Sequence, residues 1–133
     1  MHVVEAPIGR LIVFRIVPPV SDDNGPRASA DLRAAIVGTP GAAVVVSDLR
    51  AARAFSPETT ERFVALMKAD NPKIERSAIL VDGEARTLGM QTQRMVKEAA
   101  HASRRVFADV TELREWLAGV LSSEEQTALD RLL

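Results

Sequence analysis

Apolar positions along the chain fall into short β-rich runs separated by stretches with helical spacing. Leu11-Ile12-Val13-Phe14-Arg15-Ile16-Val17 is almost continuously apolar, as in a strand covered on both faces. His2–Ala6 precedes it across Pro7-Ile8-Gly9, whose turn chemistry predicts a hairpin of His2–Ala6 with Arg10–Val17. Pro18-Pro19 ends the second strand, because proline cannot donate to a ladder. Ser21-Asp22-Asp23-Asn24-Gly25-Pro26 reads as a polar loop. The spacing then predicts a helix over Ala28–Val37, with Leu32, Ala35 and Ile36 on one face and Gly38 as a left-handed cap. Ala42-Ala43-Val44-Val45-Val46 is too short for a helix and β-branched, which predicts a buried central strand ending near Asp48.

A loop over Leu49–Phe55 leads to Ser56-Pro57-Glu58: serine at the N-cap, proline at the first helical position and an acid after it. This helix carries Phe63, Leu66 and Met67 inward and stops near Asp70-Asn71-Pro72. Ile74–Val81 predicts the next strand. Asp82-Gly83 turns the chain into a long helix with Leu88, Thr92, Met95, Val96 and Ala99 inside. Arg105-Val106-Phe107 is a short strand. Asp109 with Glu112 starts a helix burying Val110, Leu113, Trp116 and Leu117, and Ser122 with Glu125 starts a last one striped by Ala128, Leu129, Leu132 and Leu133. The order is β-β-α-β-α-β-α-β-α-α. Strands alternating with helices need crossovers, so the fold class is α/β: a mixed, mainly parallel sheet of about five strands under helical cover.

The chain has 133 residues, 47% of them hydrophobic and 26% charged, a balance that suits one globular domain with a real core. Residues 1–121 are expected to form it, with 122–133 as an added amphipathic helix. There is no cysteine, which removes disulfides, thiolate metal sites and cysteine nucleophiles. Seventeen basic and eighteen acidic residues give a net charge of −1, so no nucleic-acid partner is expected. The opening residues show no leader pattern, and no apolar run approaches the ~20 residues of a spanning helix. The expectation is a cytoplasmic protein without a membrane span.

Three motifs carry a resemblance to a family. They are Val44-Val45-Val46-Ser47-Asp48-Leu49-Arg50 running towards Ser56-Pro57-Glu58, Arg76-Ser77-Ala78-Ile79-Leu80-Val81, and Arg105-Val106-Phe107-Ala108-Asp109 followed by Glu112, Leu113, Trp116 and Leu117. In that order and spacing the chain resembles the STAS superfamily, in particular its SpoIIAA-like (anti-sigma-factor-antagonist-like) group. The resemblance implies a non-catalytic regulatory module of signalling that binds a protein partner. In the phosphorylation-switched members an Asp-Ser pair opens the helix after the Asp-Leu strand. Here Ser56-Pro57 stands there, so the phosphoserine switch is not expected, and Ser56 is explained by its N-cap role.

No enzyme is expected, since no nucleophile, base and orienter can be assembled and Gly-x-Ser-x-Gly is missing. His2 and His101 make no metal cluster, and a cation at a helix end accounts for His101. Asp22-Asp23-Asn24-Gly25 resembles part of a calcium loop, but Arg33 stands where the last acidic ligand belongs. No metal and no cofactor are expected. The turn at Gly83 and Arg86 is a candidate ligand site that lacks a phosphate-binding lysine. Arg86, Arg94, Lys97, Arg104 and Arg105 form a basic face, read as solvated or as docking an acidic partner.

The expected partner-binding surface combines Asp48, Arg50, Arg53, an exposed Phe55, Ser56, Glu58 and Arg62, with Phe55 and an arginine as anchors. Two alternatives stay open. One is a small-ligand sensor for an anion or lipid, which the related architecture of the CRAL-TRIO proteins supports. The other is a self-assembling subunit, a homodimer held by the C-terminal helix.

Overall fold

A computed structural model describes residues 1–19 and 24–133. Its strands β1 (His2–Glu5), β2 (Leu11–Ile16), β3 (Ala43–Asp48), β4 (Ile74–Leu80) and β5 (Arg104–Phe107) form one sheet in the order of the chain. β1 runs antiparallel to β2, and every other pairing is parallel. The helices are α1 (Gly25–Val37), α2 (Pro57–Asp70), α3 (Arg86–Ala99), α4 (Val110–Ala118) and α5 (Ser123–Leu132). The α/β class and the element order are those expected from the sequence, with the extra C-terminal helix in place.

The strand order decides the layering. Each parallel step from β2 to β5 moves the same way along the sheet, and right-handed crossovers then place their helices on one face. α1, α2 and α3 accordingly share a core with Ile12, Phe14, Val45 and Ile79. The opposite face, carrying Leu11, Val13, Val44, Val46, Ala78 and Leu80, is left for α4 and α5. Leu113, Leu117, Leu121 and Leu129 close it, with Ala128, Leu132 and Leu133 packed alongside. The stripe considered for self-assembly is therefore engaged within the chain.

Local chemistry sets the helix starts. Ser56 accepts from Thr59 N–H, Asp109 accepts from Thr111 and Glu112 N–H, and Ser122 with Glu125 completes a reciprocal capping box. The buried Glu125 carboxylate also accepts from Arg10 N–H at 2.7 Å, tying α5 to the hairpin. At Gly9, which has φ +60°, a Cβ would lie 2.5 Å from that carboxylate. Only glycine fits this turn.

Two expectations are corrected, and a third falls outside the described residues. α1 begins at Gly25 with Pro26 in its first turn, not at Ala28, because proline there gives up an N–H the helix leaves unbonded anyway. Residues 20–23 lie outside the described residues, and they include Ser21, Asp22 and Asp23 of the expected polar loop, the latter two also of the calcium-like run. Gly38 is right-handed, its N–H held by Ala34 O, whereas the left-handed cap is Ala100 after α3.

Candidate functional site

The loops that follow β3 and β4 meet at the carboxyl edge of the sheet, where open α/β sheets gather ligands. Asp48 ends β3 and is nearly buried. Its Oδ1 accepts from Arg50 N and Nε, and its Oδ2 from Arg50 Nη2 at 2.8 Å. Hydrogen bonding to Asp48 raises the Arg50 guanidinium above its ordinary pKa, against the opposing effect of burial. The fork fixes Arg50 while leaving its side chain 40% exposed.

Arg53 reaches across to the loop after β4. Its Nη1 lies 2.7 Å from Asp82 Oδ2, and its side chain is 67% exposed. Asp82 Oδ1 accepts from Glu84 N–H. That backbone bond first, and Arg53 second, hold the Asp82 carboxyl below its ordinary range. Two guanidiniums thus project from one edge, each held by an aspartate of its own.

Phe55 contradicts the expectation of an exposed anchor. It is buried, with its ring 6.0 Å from Phe63. Its backbone N–H donates to Gln91 Oε1, and its carbonyl accepts from Gln91 Nε2. α3 therefore clamps the loop and draws the ring into the core. With Ala52 and Leu49 also buried, the loop offers its arginines and hides its two large apolar side chains, Leu49 and Phe55, while Ala51 and Ala54 stay exposed. Ser56 caps α2, and Glu58 and Arg62 lie exposed on its first turns. The structure brings Asp48, Arg50, Arg53 and Ser56 onto one edge and removes Phe55 from the surface. Asp82 and Gln91 are the partners that sequence reasoning missed. Neither follows from spacing, because each acts from another element.

Gly83 and Arg86 flank the start of α3, where Ala85 offers no side-chain cap. They border an open groove with Met90 and Phe107. Arg86 is exposed, and Glu84 follows Gly83 in the same turn.

The basic face is corrected at one position. Arg104 is not on the solvated helix face but on β5, 5% exposed. Burial lowers its guanidinium to about 10, with the Asp70 charge opposing. Arg105 is exposed and lies over the rings of Phe107 and Trp116, and Arg76 covers Trp116 at 5.0 Å. His101 follows the end of α3, where its Nδ1 accepts from Ser103 N–H and its Nε2 lies 2.9 Å from Ile74 O, so it also stitches the turn between α3 and β5.

Among the described residues no group of three or more His, Asp or Glu side chains is arranged to hold a metal ion, and no helix is long and apolar enough to cross a membrane. No family model matches the chain, and neither a curated protein nor a solved structure matches it at a significant level.

Proposed function

We propose that this chain is a non-catalytic regulatory module, of the STAS, SpoIIAA-like kind its motifs resemble, that docks a protein partner through the carboxyl edge of its sheet. The observation that carries the reading is the pair of preset guanidiniums, Arg50 on Asp48 and Arg53 on Asp82. Arginine is enriched among interface anchors, and one already held in place loses less freedom when a partner arrives. Glu58 and Arg62, exposed on α2, extend the surface, and Ser56 serves it as a helix cap. The anchors are the arginines alone, since the Phe55 ring is committed to the core. A partner with carboxylates facing Arg50 and Arg53 fits this edge. The reading assigns the chain no reaction and places it in the cytoplasm.

The test is co-purification with the tagged chain from its native host, with Arg53→Glu and Arg131→Glu run in parallel. A stoichiometric protein that is lost with Arg53→Glu and kept with Arg131→Glu supports the reading. Bait recovered alone, or a partner indifferent to Arg53→Glu, overturns it.

A further inference from the structure

Between the sheet and helices α1 to α3 lies a cavity of about 50 Å³. One water needs roughly 10–15 Å³ on that measure, so the space admits a guest of several heavy atoms. Phe14, Phe63 and Met95 are among its apolar walls, and Asp70 and Arg104 line it too. Both charged residues are only 5% exposed. Arg104 Nη1 donates to Asn71 Oδ1 at 2.8 Å, but its buried Nε–H has no partner. Asp70 Oδ1 lies 4.0 Å from Arg33 Nε, and its buried Oδ2 has no partner. Burial raises the Asp70 carboxyl, with Arg33 and Arg104 opposing. Two of the three buried side-chain atoms left without a partner among the described residues, one donor and one acceptor, thus belong to residues that line the same cavity, which is a standing cost unless a guest meets them.

Within the cavity lining the charges of Arg104 and Asp70 balance, Arg33 standing outside it with its side chain 56% exposed, so a charged guest would add an uncompensated charge to a buried site. The head that fits is neutral and carries an acceptor and a donor on one small group. The aromatic and methionine walls suit a short apolar tail. We propose that this cavity binds a small primary carboxamide, its carbonyl oxygen accepting from Arg104 Nε, its NH₂ donating to Asp70 Oδ2, and its aliphatic tail lying against Phe14 and Phe63. The site is interior and does not rest on the docking reading.

The experiment titrates the full chain with butyramide, butyrate and butylamine at neutral pH, followed by methyl NMR. Butyramide should give saturable shifts at the methyls of Met95 and of Thr92, which also lines the cavity. Both charged analogues should bind at least about tenfold more weakly. The double variant Asp70→Asn, Arg104→Met removes both charges together and should lower butyramide affinity by about tenfold or more. No saturable shift at these methyls overturns the proposal. Equal affinity for butyrate does so as well, as does undiminished affinity in the folded double variant. Should that variant not fold, Ser47→Val decides: it enlarges one cavity wall without changing charge, and butyramide binding as tight as in the parent chain overturns the proposal.

Discussion

On one side of the sheet, Leu11, Val13, Val44, Val46, Ala78 and Leu80 meet the leucines of α4 and α5. On the other, Ile12, Phe14, Val45 and Ile79 meet α1, α2 and α3, and Ser47, Ser77, Asp70 and Arg104 line the same space. Both sets of side chains alternate along the same strands. The first face is filled by apolar groups, mostly aliphatic, with Phe107 and Trp116 at its side. The second keeps a cavity and a buried pair of opposite charges, which stabilise less than an apolar filling of equal volume. The contrast teaches that the face under α4 and α5 is packed by apolar groups, and that the interior under the crossover helices is where binding chemistry has room.

Breaking the filled face should give the largest effect. Leu129 is 1% exposed and comes from α5. Leu129→Ala should cost about 3–4 kcal/mol in a urea melt. A cost under about 1 kcal/mol would make α5 an appendage and dissolve the contrast between the faces.

Glu125 tests the polar tie that holds α5 down. Burial raises its carboxyl, and the backbone N–H groups of Ser122 and Arg10 outweigh that, leaving it below its ordinary range. A carboxyl lowered on folding contributes fully above its unfolded pKa, and the contribution disappears as pH falls through the lowered folded one. Glu125→Gln should therefore cost about 1–3 kcal/mol at neutral pH. The gap from the parent should close as pH falls below about 4. A gap that does not change with pH would show that the charge of Glu125 contributes nothing.

A paired substitution sharpens the contrast at nearly equal added volume. Ala78→Val on the filled face should destabilise by about 1–3 kcal/mol. Ser47→Val, beside the cavity, should leave stability unchanged or raise it by up to about 1 kcal/mol. Equal losses at both sites would mean that the two faces are packed alike. The smallest effect is expected at the rim: Arg53→Glu, on an exposed side chain, should move the melt by under about 0.5 kcal/mol. A larger loss would turn Arg53 from a docking residue into a structural one.

Much of the fold was legible because its signals are local. Ser56-Pro57-Glu58, Asp109 and the Ser122–Glu125 pair act within one helical turn, and all three mark helix starts in the structure. The β-branched run at Ala43–Val46 likewise becomes the central strand it predicts. The site was legible only in part. Asp48 and Arg50 are two residues apart and find each other locally. Arg53 depends on Asp82 from the next strand's loop, and Phe55 is turned inward by Gln91 of α3. Arg104 follows the basic spacing of a helix face, yet the chain has already entered β5 there.

The sequence by itself determined the kinds and order of the elements, the caps that start α2, α4 and α5, and the absence of cysteine chemistry. Those follow from periodicity and from contacts spanning a few residues. Only the tertiary structure decided that three crossover helices share one face, that α5 must close the other, and that Phe55 and Arg104 lie inside. Strand order and burial depend on residues far apart in the chain, and nothing in local spacing carries that information.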